Sequence, residues 1–171
     1  MKPKLPISIR PAKRADIQEI MDLHEDAFDQ EDEARIVEAL ADDGESLLSL
    51  VALNEDGRIV GHIQFFPIEV INHDRPANFA GFGPVSAASE LQNRGIGTAL
   101  IEAGLKTIKD QGIQKVFVLG HPKFYKRFGF SQQETVGFAA AWGGPAFMAL
   151  RLNSGGPEFG ELVYPAAFAE N

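Results

Sequence analysis

Hydrophobic and polar residues recur along this chain with two different periods, and the changes of period divide it into elements. Residues 7–10 (Ile-Ser-Ile-Arg) alternate with a period of two, the mark of a short strand, and Pro11 closes it. Over residues 16–28 the period lengthens. Ile17, Ile20, Met21, His24, Ala27 and Phe28 fall on one helical face. Residues 31–40 predict a second, acidic helix with Ile36, Val37 and Leu40 inward. Residues 46–53 and 58–70 read as strands joined by Asn54-Glu55-Asp56-Gly57, a sequence suited to a hairpin turn. Residues 78–87 are a further strand, interrupted by Gly81, Gly83 and Pro84. The longest helix is predicted over 94–111, with Leu100, Ile101, Leu105 and Ile108 as its apolar stripe and Gly112 as its stop. Residues 115–119 (Lys-Val-Phe-Val-Leu) read as a buried strand. His121-Pro122 opens a short helix ending at Gly129, because proline suits a first helical turn. Residues 135–142, 146–152 and 161–164 are β-like. No internal repeat or low-complexity tract appears. Hairpin-joined strands plus one strand–helix–strand unit imply a single domain over 1–171, of α/β (mixed α+β) class, with a mixed sheet covered by helices.

Composition and charge narrow the possible chemistry. A chain of 171 residues with 44% hydrophobic content can bury roughly 70% of its unfolded surface, enough for a core without metal or disulfide staples. There is no cysteine, which excludes disulfides, thiolate metal sites and an acyl group parked on an enzyme thiol. Lys+Arg 16 against Asp+Glu 24 gives a net charge of -8, which repels a nucleic-acid backbone. The densest basic cluster in the body, Lys123, Lys126 and Arg127, is too small for a duplex footprint. The basic start Met1-Lys2-Pro3-Lys4-Leu5 is not followed by an apolar run of signal-peptide length, and no segment approaches the ~20 apolar residues of a membrane span. A cytoplasmic protein with neither nucleic acid nor membrane as partner is expected, and no metal.

Residues 83–98 carry the most chemical information. A strand runs into a turn, and glycines stand at the start of the long helix. Unpaired amides at a helix N-terminus bind anions, and the missing side chains of Gly95 and Gly97 let a phosphate approach the backbone. Arg94 adds a charged donor at the rim. A strand-to-helix turn that uses glycine for shape alone is the competing reading. Two common phosphate motifs are excluded. Gly97 is followed by Thr98-Ala99 and not by the Lys-Ser/Thr of a P-loop, and Leu100 stands where a dinucleotide fingerprint needs its third glycine.

Gln92-Asn93-Arg94-Gly95-Ile96-Gly97 resembles the Gln/Arg-x-x-Gly-x-Gly/Ala pyrophosphate loop of the GCN5-related N-acetyltransferases, following an apolar strand end, Val85-Ser86-Ala87, as in that family. Downstream, Phe124-Tyr125-Lys126-Arg127-Phe128-Gly129-Phe130 resembles the family's Tyr-x-x-hydrophobic-Gly-Phe segment. The resemblance spans roughly residues 7–152, and Leu119-Gly120-His121-Pro122 is similar to bacterial members. It implies a mostly antiparallel sheet whose fourth and fifth strands splay apart, with acetyl-CoA as acyl donor in the cleft. Pantetheine would lie along Val85, Ser86 and Ala87. Pyrophosphate would sit on the loop Gln92, Asn93, Arg94, Gly95, Ile96, Gly97 and Thr98. Tyr125 would act as the acid for departing CoA, beside Phe124. The local residues favour the same break in pairing, since Pro84 donates nothing to a ladder and Gly83 tolerates a bulge.

The chain also departs from the family. Val118 and His121 stand where many members carry Asn and Ala, which leaves His121 to replace part of a cofactor contact. Residues 78–87 contain no acid, so a glutamate base on the fourth strand does not carry over. Glu69, Glu25, Asp29 and His121 are left as bases, directly or through water, although each also has a structural reading. His24 and His62 read as partly buried structural histidines. Trp142, Phe138 and Phe147 read either as walls of an acceptor pocket or as core. The expected activity is direct transfer of acetyl from acetyl-CoA to an amine in a ternary complex. An acyl-CoA-binding sensor or accessory module without turnover is the alternative, an unrelated scaffold is the third, and homodimer formation is left open.

Overall fold

The computed structural model describes residues 6–28, 32–141 and 143–168. The chain forms two compact units, Met1–Phe65 with Gly83–Lys106, and Phe66–Phe82 with Thr107–Asn171. Two strands, β3 (Ile59–Ile71) and β4 (Phe79–Ala87), run through both.

In the first unit β1 (Ser8–Pro11) pairs antiparallel with β2 (Leu48–Leu53), which pairs antiparallel with the first half of β3. Pro11 is the last paired residue of β1 and not the residue beyond it. It occupies an edge, where a missing N–H is tolerated. The β2–β3 turn is the predicted hairpin. Asn54 Oδ1 accepts the amides of Asp56 (3.0 Å) and Arg58 (2.9 Å), which explains why Asn-Glu-Asp-Gly reverses the chain here.

Helices cover this sheet because their apolar stripes match its faces. α1 (Ile17–Phe28) buries Ile20, Leu23 and His24, and α2 (Asp32–Asp42) buries Ala34, Val37 and Leu40. Most of α3 (Ile96–Asp110) also belongs to this unit, with Ile96, Leu100, Ile101 and Leu105 buried. It approaches β3 closely. A Cβ at Gly61 would lie 2.5 Å from Ile96 Cγ2, and one at Gly104 would overlap the Phe65 ring. Gly61 and Phe65 thus share the face under α3, while His62 and Gln64 alternate to the other.

In the second unit β5 (Lys115–Leu119) pairs antiparallel with β7 (Phe147–Arg151) and parallel with β4. β8 (Gly160–Val163) adds antiparallel to the last residues of β3, and β6 (Phe138–Ala139) pairs with β8. α4 is a single short helix, Pro122–Lys126. The β-like stretch predicted over 135–142 contracts to Phe138–Ala139. Thr135 bonds back to the Gln132 carbonyl with both amide (3.0 Å) and hydroxyl (2.7 Å), forming a 3-10 turn over Gln133–Thr135, and Gly137 then takes a left-handed φ of 96°. The architecture is the expected mixed α/β class, a mostly antiparallel open sheet with four α-helices among the described residues.

The β4–β5 register runs from Phe79–Lys115 to Gly81–Phe117 and no further, although both strands continue. Pairing fails where the sequence predicts it: Gly83 has a φ of 138° and Pro84 lacks an amide proton.

Candidate functional site

The first unit supplies a loop shaped for an anion. β4 ends at Val85, Ser86 and Ala87, a 3-10 turn spans Ser89–Leu91, and α3 begins at Ile96. Between them Asn93 (φ 64°) and Gly95 (φ 87°) both adopt left-handed backbone, and this pair of reversals turns the chain into the helix. Asparagine is among the few non-glycine residues that tolerate this region. Gln92 braces the turn by donating from Nε2 to the Ala87 carbonyl at 2.7 Å, and Asp26 holds Ser89 through its amide (3.0 Å) and hydroxyl (3.1 Å).

The first intrahelical bond runs from the Ala99 amide to the Gly95 carbonyl. The amides of Ile96, Gly97 and Thr98 precede it and have no partner one turn back. No acidic residue lies in that first turn, so the positive end of the helix is not neutralised locally. A Cβ built on Gly97 meets nothing within 4 Å, so the helix end is uncovered there. Adjacent amides, a helix dipole and an uncovered backbone together suit a pyrophosphate.

The second unit supplies a buried phenol. β5 ends with Val118 buried and Leu119 51% exposed. The His121 carbonyl then accepts the amides of Phe124 (3.1 Å) and Tyr125 (3.2 Å) to start α4. The His121 side chain is exposed and makes no capping bond to the helix it precedes. Tyr125 is 9% exposed and packs edge-on against Phe82, Phe124 and Phe130 at 5.7, 5.0 and 6.0 Å. Gly120 makes room for it, since a Cβ there would lie 2.5 Å from Tyr125 Cε2. Burial raises the phenol above its ordinary value of 10, so the hydroxyl carries its proton at neutral pH. Among the described residues it donates to no acceptor.

The bases weighed from the sequence fare differently. Glu69 is exposed on β3 opposite Val163, and Glu25 is exposed on α1. Asp29 and Trp142 lie outside the described residues. Phe138 and Phe147 pack on Phe117 at 5.7 Å, which makes them core. Among the described residues no group of three or more metal-ligating side chains occurs, and no helix is long and apolar enough to cross a membrane.

The sequence reading missed a buried hydrogen-bonded line in the first unit. Ser86 Oγ lies 2.8 Å from His24 Nδ1, His24 Nε2 lies 2.8 Å from His62 Nδ1, and His62 Nε2 lies 2.7 Å from Ser49 Oγ. Both histidines are 0% exposed, and not partly buried as expected. The available signal was that His62 shares the period-two face of Gln64 on β3, inside an otherwise apolar strand. Burial lowers His24 from 6.5 to about 4 and holds His62 well below its ordinary value.

The sign of that shift makes folding stability depend on pH. The unfolded chain binds these protons at higher pH than the folded one, so the contribution is full above about 6.5 and lost as pH falls towards 4. For His24 alone it amounts to something on the order of 3 kcal/mol. Urea unfolding should show a falling midpoint between pH 7 and pH 4.5, and a His24→Leu/His62→Leu protein should show a flatter profile over that window.

With fold and loop in place, the class is defined: residues 8–133 match the acetyltransferase (GNAT) domain, and the chain belongs to that family. It is 30% identical to the N-acetyltransferase YhbS of Escherichia coli K12 over 128 residues, covering 74% of this chain and 75% of that one. The crystal structure of YhbS in complex with CoA superposes with a TM-score of 0.88 at 28% identity, covering 99% and 96% of the two chains. A GNAT family acetyltransferase from Brucella melitensis, solved with acetyl-CoA, gives a TM-score of 0.79 at 32% identity, covering 95% and 98%. The chain is an acetyl-CoA-dependent acyltransferase by family and homology.

Proposed function

We propose that this protein transfers acetyl directly from acetyl-CoA to a primary amine in a cytoplasmic ternary complex. The observation that carries the reading is the open N-terminus of α3, where Gly97 leaves the first-turn amides uncovered. In this reading, the loop from Gln92 to Thr98 takes the pyrophosphate, and the backbone of Val85, Ser86 and Ala87 takes pantetheine. The structures solved with CoA and acetyl-CoA support the choice of donor. His121 and Phe124 contribute side-chain contacts to the cofactor.

The chemistry needs two proton events. As the amine nitrogen bonds to the thioester carbon, it must lose a proton. As the carbon–sulfur bond breaks, the thiolate must be stabilised. The absence of cysteine removes a thioester on the enzyme as a way station. Tyr125 is assigned to the sulfur. A thiol near 8.5 is more acidic than a phenol near 10, so complete proton transfer from an ordinary tyrosine is uphill. Hydrogen bonding from a desolvated phenol still stabilises the leaving thiolate, and complete transfer becomes favourable only where the surroundings raise the sulfur's proton affinity above that of the phenolate, which burial raises too.

The net charge of -8 favours a cationic acceptor. A panel of small amines, aminoglycosides, peptides with free N-termini and lysine peptides, assayed by CoA release, tests the reading. Release above the acceptor-free rate with at least one amine is expected. Tight acetyl-CoA binding with no release across the panel would favour a sensor.

A further inference from the structure

We propose that the line Ser86–His24–His62–Ser49 is a proton relay that carries the proton lost by the acceptor amine from β4 towards solvent. The inference deepens the transferase reading and rests on β4 as the strand that holds the acetyl donor. Among the nine residues of β4, Phe79–Ala87, only Ser86 has a side chain with an exchangeable proton. That hydroxyl meets His24 on α1, which meets His62 on β3, which meets Ser49 on β2. Three separate elements therefore each contribute a polar side chain to continue a line that begins on β4.

The ends and the middle differ in a way that suits conduction. His24 and His62 are fully buried, Ser86 nearly so, and Ser49 only half-buried, so the line opens towards water at its β2 end. A neutral imidazole has one donor and one acceptor nitrogen, and a hydroxyl has both. The four groups can thus be oriented in either sense with every bond satisfied. Moving one proton along each bond converts one sense into the other. A core fixed for packing alone has no need of this, since apolar residues at 24 and 62 avoid the cost of burying polar groups.

The step balances. The amine proton goes to Ser86 Oγ as the Ser86 proton goes to His24 Nδ1. The proton on His24 Nε2 goes to His62 Nδ1, and that on His62 Nε2 goes to Ser49 Oγ, whose own proton passes to water. One proton leaves the amine, one reaches solvent, and no bond between heavy atoms changes. Burial keeps both rings neutral, so the proton does not rest on them. Ser86 would touch the reacting amine, while His24, His62 and Ser49 act through it.

The full chain labelled with ¹⁵N-histidine tests the relay by NMR with and without acetyl-CoA. Ring nitrogen shifts averaged between two neutral tautomers are expected for both buried histidines, and one fixed tautomer on each ring would overturn the proposal. Ser49→Ala removes the outlet while sparing the buried rings. It should settle the rings on one tautomer and slow acetylation of n-butylamine, used as probe acceptor, by about tenfold or more with acetyl-CoA affinity unchanged. Ser49→Thr restores a hydroxyl and should restore both readouts. Equal n-butylamine turnover in wild type and Ser49→Ala would overturn the relay. If n-butylamine is not acetylated, the tautomer measurement alone decides. Failure of the wild type to bind acetyl-CoA in calorimetry would instead strike the donor-site reading.

Discussion

Gly97→Val is expected to weaken acetyl-CoA binding by about 100-fold or more, a loss of roughly 2.7 kcal/mol, while leaving the protein folded. The two halves of this expectation have separate causes. A Cβ at Gly97 meets nothing within 4 Å, and Gly97 is absent from the positions of left-handed φ, so a branched residue starts there in open space and without backbone strain. The same vacancy is where a pyrophosphate must come to reach the first-turn amides of α3, and a branched side chain fills it. Hydrogen bonds to a charged group are worth about 1.5–3 kcal/mol each, so losing one or two accounts for the effect. Gly95 is a poorer site for this test. Its φ of 87° costs a non-glycine residue about 1–2 kcal/mol, so weaker binding there would be confounded with a distorted loop. Calorimetry on a Gly97→Val protein with wild-type circular dichroism and unfolding midpoint checks the prediction. Unchanged affinity would remove this loop from the donor site.

Tyr125→Phe is expected to lower turnover by roughly 10- to 10⁴-fold with acetyl-CoA affinity and folding nearly intact. The substitution keeps the ring, and with it the packing on Phe82, Phe124 and Phe130 and the fit against Gly120. Only the hydroxyl is deleted, and it has no hydrogen-bond partner among the described residues, so nothing else is left unpaired. A loss confined to kcat, with the dissociation constant of acetyl-CoA unchanged, is the signature of a group needed when CoA departs. Single-turnover rates with a verified acceptor measure it, and an undiminished rate would return Tyr125 to a packing role.

What could be read from the sequence follows from how local each signal is. α3 and β5 were legible because a long apolar stripe and a short apolar run each specify one element without help from afar. The glycine turn into α3 was legible because glycine spacing and helix start are both local, and Gly95 does take the left-handed backbone that its place implies. The break in β4 was marked by Gly83 and Pro84, two residues whose effects on pairing are intrinsic. Thr135 illustrates the opposite case: a β-forming residue turned out of a strand by two hydrogen bonds to the Gln132 carbonyl, with Gly137 turning the chain further.

The histidine line was illegible for a different reason. His24 has helical spacing and His62 lies in a strand, and each reads separately as a core residue. Their connection is tertiary, across 38 residues between the histidines and 62 between His24 and Ser86. No local pattern encodes it.

Direct transfer of acetyl from CoA to an amine, as proposed, leaves no acetyl-enzyme. Mass spectrometry after incubation with [1-¹³C]acetyl-CoA tests it in one measurement, following both the amine panel and the intact protein. The account predicts a labelled acetyl group on an amine in step with CoA release, and a protein of unchanged mass when the amine is omitted. A stoichiometric acetyl-protein on the path to product, or bound acetyl-CoA with no amine labelled, would contradict it.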